Sequence, residues 1–266
     1  ASFQPDVCHV HALLGLGVGW FDSLREARAS LAVTLHDCWW LCDRQFMINS
    51  DGVYCNQSAV SPEQCRYCTV QYDRLLERRD TLFAAASSAD LLLYPSAFHR
   101  DLHVASGLDP NKSRVNRNGI TLPAADFGEK QGARRGGGRD TVFGFTGGPG
   151  EIKGAPLIVQ AFEQYQRENY LLKVVDSAQN LGTTWRSAEE WRAKARIEFV
   201  PAYTQQTMDD FFAGIDVLLF PSQWKESFGL TVREALARDI WVIATDCGAP
   251  VEDIVPGENG TVIPFE

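Results

Sequence analysis

Two carboxylates, Glu226 and Glu234, bracket the turn in VLLFPSQWKESFGLTVREALARDIWVIATDC, the stretch richest in chemistry. Val217–Phe220 is a short apolar run closed by Pro221 and Ser222, the pattern of a buried parallel strand. Ser227, Phe228 and Gly229 then open a helix expected to reach Ala237, and 241–244 reads as the next buried strand. A helix N-terminus presents unpaired N–H groups and the positive end of the dipole, which suits a phosphate. Helical side chains lean toward the N-terminus, so Glu234 aims back at whatever sits there. A carboxylate so placed can accept hydrogen bonds from a ribose diol or a sugar hydroxyl. Gly229 lets a ligand approach the backbone. The plain alternative is an ordinary αβ unit with two solvated glutamates.

Three further groups could do chemistry. The loop 146–154, TGGPGEIKG, follows an apolar run at 141–145. Its glycines let backbone amides approach an anion, and Lys153 adds a point charge. His36 and Asp37 sit at the carboxyl end of a strand expected at 32–35, where ligands gather in open α/β sheets; the alternative for His36 is a cap on the next loop. Cys42, Cys55, Cys65 and Cys68 lie in a loop-rich insert, 38–69, with spacing C-x12-C-x9-C-x2-C. The last pair is close enough for two thiolates to share a metal. The insert lacks apolar periodicity, and a structural Zn²⁺ would supply the core it lacks. Four free thiols, two disulfides or an iron–sulfur cluster are the alternatives.

The elements that must position these residues read as two α/β halves. In the first, strands are expected at 7–11, 32–35 and 91–94, and helices at 72–88 and 97–106, with a small-residue loop at 12–19. In the second, strands are expected at 141–145, 172–175, 197–200, 217–220, 241–244 and 261–264. Helices are expected at 155–167, 186–195 and 205–213, the last capped by Thr204. The tract 121–140, with its GARRGGGRD run, reads as a flexible linker.

The Pro-Ser pair and the E-x7-E with Phe-Gly inside (Pro221, Ser222, Glu226, Phe228, Gly229, Glu234, then Ala235) resemble the signature of glycosyltransferase family 4. The T-x-H-D at Thr34 to Asp37 and the V-x-x-N-G-I from Val115 resemble two further segments of that family. The resemblance implies an α/β fold of the retaining GT-B type, with two Rossmann-like domains facing a cleft. It implies an incomplete N-terminal acceptor-side domain at 1–123 with the insert inside it, a linker at 124–140, and a nucleotide-sugar domain at 141–266. The family's first strand and glycine loop, and its final crossing helices, have no counterpart here.

By the same resemblance, His36, Lys153 and Glu226 are catalytic. His36 faces the donor sugar or places the acceptor, Lys153 holds the diphosphate and Glu226 holds sugar hydroxyls. Gly147, Gly148, Val200, Ser222, Ser227, Phe228, Gly229, Leu230 and Glu234 join Lys153 in binding the donor, Glu234 at the ribose and Val200 near the base. Gly148 stands where the family usually has an arginine. Retention in this class is explained by front-face attack with the phosphate taking the acceptor's proton, so no cofactor or divalent metal is required. The expected donor is a nucleotide-diphosphate sugar, and the acceptor a glycan, a lipid-linked or a small molecule. The expected role is polysaccharide or glycoconjugate biosynthesis, in the cytoplasm, with or without peripheral membrane contact. A catalytically degenerate binding domain is the first alternative. A Rossmann oxidoreductase is the second, although no G-x-G-x-x-G follows a strand.

Composition sets bounds. The 266 residues suffice for two domains, and 45% hydrophobic with 22% charged residues is ordinary for a folded chain. A net charge of −9 argues against nucleic acid as a partner. No apolar run is long enough to span a bilayer, and no signal peptide is visible in a chain that begins at Ala1. Seven cysteines, four of them clustered, fit reduced or metal-binding use better than a disulfide framework.

Overall fold

The structure, a computed structural model, describes residues 4–13, 17–26, 28–135, 140–184 and 196–265. Contacts divide the chain into two units, 1–118 with 224–228, and 119–223 with 229–266.

In the first unit, β1 (Val7–Val10), β2 (Ser30–Thr34), β3 (Leu91–Tyr94) and β4 (Ser113–Val115) form one parallel sheet in chain order. Parallel neighbours cannot be joined by tight hairpins, so helices intervene. They are α1 (Phe21–Glu26), α2 (Pro62–Cys65) inside the insert, α3 (Tyr72–Ser88) and α4 (Ala97–Ala105). Leu82, Ala85, Ala86 and Ala89, on and just after α3, pack with Leu31, Val33, Leu35, Leu92 and Tyr94. Burying each large aliphatic side chain there contributes roughly 1.5–3 kcal/mol. Ser96 caps α4 by accepting the His99 amide at 3.1 Å, and Gly107, at φ +112, ends that turn of chain.

In the second unit, the helix α5 (Phe127–Arg135) precedes β5 (Thr141–Phe145), α6 (Ala155–Gln164), β6 (Tyr170–Val175), β7 (Arg196–Val200), α7 (Met208–Ala213), β8 (Val217–Phe220), α8 (Leu230–Leu236), β9 (Trp241–Thr245) and β10 (Gly260–Ile263). The sheet is parallel, ordered β10-β9-β8-β5-β6-β7. Side chains alternate between its faces. Val142, Leu171, Val175 and Leu218 join the α5, α7 and α8 residues Phe127, Phe211, Phe212, Val232 and Ala235. Phe145, Tyr170, Leu172 and Val174 join Ala155, Ile158 and Phe162 of α6. The strand order reverses between β5 and β8, the point at which loops diverge and leave a crevice at the carboxyl ends.

One device occurs in both units. Asp90, just before β3, accepts the Leu31 amide at 2.8 Å, and its own amide bonds Leu31 O at 2.9 Å. Asp216, just before β8, does the same to Val142, at 2.8 Å each way. The surrounding residues, SADLLLYPS at 88–96 and GIDVLLFPS at 214–222, are near-copies.

The tract 124–140 differs from its reading as a flexible linker. It carries α5, whose Phe127 is 6% exposed in the unit's core and whose Gln131 Nε2 lies 3.3 Å from Arg238 O. A single buried aromatic leaves no periodic signal beside so many glycines and arginines. Thr204 does not cap α7: that helix begins at Met208 after Thr207, and Thr207 Oγ1 accepts the Thr204 amide at 2.9 Å. The helix expected at 186–195, part of the loop 12–19 (14–16) and the glycines 136–138 lie outside the described residues.

Candidate functional site

In the second unit the loops that follow β5 and β8, on either side of the strand reversal, are tied together. The Gln223 amide donates to Ile152 O at 2.8 Å, and Ser222 Oγ donates to the same oxygen at 3.4 Å. Thr245 Oγ1, at the end of β9, donates to Ser222 O at 2.6 Å. Gly154 is at φ +77, and a Cβ there would stand 2.0 Å from Pro221 O, so the two loops meet backbone to backbone. A Cβ at Gly147 would strike the Phe145 ring at 2.7 Å and Lys153 Cβ at 3.1 Å. Gly148, at φ +76, faces open space. Lys153 closes a one-turn 3-10 helix, Glu151–Lys153, directly before Gly154.

The backbone into α8 turns on Gly229, at φ +72, where a Cβ would meet Pro250 at 2.4 Å. Leu230 is 46% exposed at the first turn, whereas Glu234 on the same helix is 4% exposed. Burial pushes the Glu234 carboxyl up, opposed by the Arg238 guanidinium. Among the described residues its carboxylate accepts no hydrogen bond, which leaves acceptor capacity for a diol. Tyr203, in the loop after β7, hydrogen-bonds Thr231, and burial followed by the Glu234 charge pushes its hydroxyl up to about 12. Arg238 is 1% exposed and holds the far end of α8: its Nε donates to Asp209 Oδ1 at 2.8 Å, its Nη2 pairs with the same oxygen at 2.7 Å, and its Nη1 donates to Thr121 O and Glu234 O at 3.0 Å. Arg233 pairs with Asp253 at 2.7 Å and with Glu252 at 3.6 Å, fixing α8 to the turn after β9. Val200 O, at the end of β7, accepts the Asp176 amide at 2.8 Å. Tyr203, Thr231 and Arg238 escaped the sequence reading. Arg238, four residues beyond Glu234, carried the one readable signal, an i,i+4 carboxylate–guanidinium pair.

Glu226, Ser227 and Phe228 belong to the segment that groups with the first unit; Glu226 and Ser227 are half-buried and Phe228 is buried. In that unit His36 follows β2, and its Nε2 lies 3.0 Å from His11 Nδ1, the rings stacked at 5.3 Å. Burial and then His11 hold His36 below the ordinary imidazole range. His9 Nε2, on β1, is 2.7 Å from Thr34 Oγ1. Asp37 caps the next turn by accepting the Trp39 amide at 2.8 Å, and Gln45 donates to its other oxygen at 2.5 Å. His36, Thr34, Asp37, Trp39 and Trp40 line a cavity of about 50 Å³.

A larger cavity of about 370 Å³, lined by Phe143, Ile158, Phe162, Leu219, Ile243 and Ile263, offers almost only hydrocarbon. It lacks the polar groups that recognition of a sugar or phosphate needs. No helix among the described residues is long and apolar enough to cross a membrane.

The fold matches solved glycosyltransferases of the GT-B type. HepE from Anabaena, solved in complex with UDP and glucose, superposes with a TM-score of 0.67 at 18% identity, over 98% of this chain and 65% of that one. Sucrose-phosphate synthase from Thermosynechococcus elongatus gives 0.65 at 19% identity, over 98% and 61%. In sequence, the D-inositol 3-phosphate glycosyltransferase of Mycobacterium leprae is 26% identical over 99% of this chain and 58% of its own length. A 41.2 kDa protein of the Klebsiella pneumoniae cps region is 27% identical over 68% of this chain and 49% of its own. The chain thus spans about half to two-thirds of the relatives it matches. Residues 132–266 match the family described as glycosyl transferases group 1, which is just over half of the chain, and the chain belongs to that family.

Proposed function

We propose that this chain forms part of a retaining, family 4 type glycosyltransferase that takes its sugar from a nucleotide-diphosphate donor. The observation that carries the reading is the meeting of the Lys153 loop with the Pro221–Ser222 turn at the strand reversal of the second sheet. The reaction needs a cation where charge develops on the leaving diphosphate, and Lys153 supplies it. Gly147 and Gly148 bring backbone amides close. Glu234, buried with its acceptors open, takes the ribose hydroxyls, and the loop after Val200 borders the base. Ser222, Ser227, Phe228, Gly229 and Leu230 shape the donor pocket, and Glu226 holds the sugar. We assign His36 to the sugar or the acceptor, residues 1–123 to the acceptor side and 141–266 to the donor side.

Glycosyl transfer by front-face attack returns the acceptor's proton to the departing phosphate and asks no metal of the site. The UDP and glucose in the HepE complex and the name of the mycobacterial relative support a nucleotide sugar as donor and a hydroxylated acceptor, whether glycan, lipid-linked or small. The setting we propose is polysaccharide or glycoconjugate synthesis in the cytoplasm. A second reading, donor binding without transfer, is favoured by one observation: Gly148 leaves the loop without the family's arginine, at a φ of +76 that arginine adopts at a cost. Melting-temperature screens against UDP-, GDP- and TDP-sugars, followed by a radiolabel transfer assay on the full-length protein, test both. Stabilisation with transfer supports the enzyme, stabilisation without transfer the second reading, and no stabilisation by any nucleotide sugar refutes both.

A further inference from the structure

The insert between β2 and α3 gathers four thiols that the donor site does not use. Cys42, Cys55, Cys65 and Cys68 come from three separate turns of chain, yet all line one cavity of about 20 Å³. That is room for a single atom-sized guest. Three of the sulfurs, those of Cys42, Cys55 and Cys65, are met by hydrogen-bond donors. Cys42 accepts from the backbone amides of Arg44 and Met47. Gln57 Nε2 donates to Cys55 Sγ at 3.6 Å and to Cys65 Sγ at 3.9 Å. The Arg78 guanidinium acts on Cys42 while paired with Asp43 at 3.3 Å. Donors aimed at sulfur stabilise thiolates, and such outer contacts orient metal ligands.

We propose that Cys42, Cys55, Cys65 and Cys68 bind one structural Zn²⁺. Among the described residues no three His, Cys, Asp or Glu side chains already stand in ligating positions, so the sulfurs must rotate inward over the cavity they share. The exchange is balanced: each S–H bond gives way to a Zn–S bond, the protons pass to solvent, and no electron moves. The resulting dianionic centre is offset by Arg78 and the amide donors. The cation also supplies what the segment lacks. Its regular structure is the short α2, two single 3-10 turns and one isolated bridge, Ile48 to Tyr54. Cys38, buried beside the four, does not line the cavity. The insert reaches the neighbour of His36 through Gln45, which bonds Asp37, so the metal fixes that loop and takes no part in transfer.

Metal analysis of the chain purified without chelator tests this. About one equivalent of zinc is expected, the stoichiometry of a four-cysteine site. Cobalt(II) exchange should give thiolate charge-transfer bands and tetrahedral d–d absorption. Cys55→Ser and Cys65→Ser should lose the metal, Cys247→Ser should keep it, and Gln57→Ala should weaken zinc affinity about 10–100-fold. Chelation should open 42–69 to trypsin. If the serine variants fail to fold, the wild-type metal content and the cobalt spectrum decide. Metal-free wild-type protein with a protease-resistant insert would overturn the proposal. So would iron with sulfide, a disulfide among the four, or zinc retained by both serine variants.

Discussion

Gly148 and Gly154 share a left-handed backbone but not an environment, and the difference is measurable. Alanine at Gly148 meets nothing within 4 Å and bears only the backbone cost, about 1–2 kcal/mol. Alanine at Gly154 adds a clash with Pro221 O at 2.0 Å, so it should destabilise the second unit more, and it should separate the two loops. Urea unfolding of both variants checks the order; equal losses would mean that the loops do not meet there. The sequence reading took all these glycines as room for an anion, because composition cannot distinguish a glycine facing solvent from one facing a carbonyl. Glu234 was legible from its spacing to Glu226. Tyr203 was not, because its contact with Thr231 joins the loop after β7 to α8, far apart in sequence.

At the scale of elements, α4 carries a buried imidazole pair. His99 and His103 are 1% and 0% exposed, their rings 4.3 Å apart. His99 Nε2 lies 3.1 Å from Asp37 O, His103 Nδ1 lies 2.8 Å from His99 O, and both rings pack on Tyr94. Burial, joined for His99 by its neighbour's charge, lowers both, His103 to about 4. The folded chain therefore refuses protons that the unfolded chain accepts below its ordinary imidazole value. Stability from this source is complete above about pH 6.5 and falls as the pH drops toward 4, by roughly 3 kcal/mol for His103 alone. Denaturant unfolding of wild type and His103→Leu at pH 7 and pH 5 checks it: the variant should lose less on acidification, and an unchanged difference would contradict the burial argument. Element positions were largely legible, with α3, β3, β5 and β8 falling on their expected bounds. Where the reading failed, tertiary contacts decided: α5 is a helix because Phe127 reaches the core of its unit.

At the scale of the whole molecule, the similar segments around Asp90 and Asp216 set the same strand-start device in both units. After β3 the Pro-Ser pair caps a helix through Ser96; after β8 Ser222 instead braces the glycine loop. Asp90→Ala and Asp216→Ala should each cost about 1–3 kcal/mol, the penalty of orphaning a buried amide, and each in its own unit. Hydrogen exchange resolved by unit reads this out, and loss of protection in the opposite unit would contradict it. The fold class was legible because apolar runs separated by helical stretches admit little else, while the grouping of 224–228 with the first unit was not, since it depends on contacts.

The central claim is that the second unit grips a diphosphate with Lys153. Calorimetric titration of wild type and Lys153→Ala with the best-stabilising nucleoside diphosphate and its parent nucleoside tests it most directly. The account predicts that wild type prefers the diphosphate, that Lys153→Ala loses roughly 1.5–3 kcal/mol of that preference, and that nucleoside affinity is unchanged. Equal loss for both ligands, or an intact preference for the diphosphate in the variant, would contradict it.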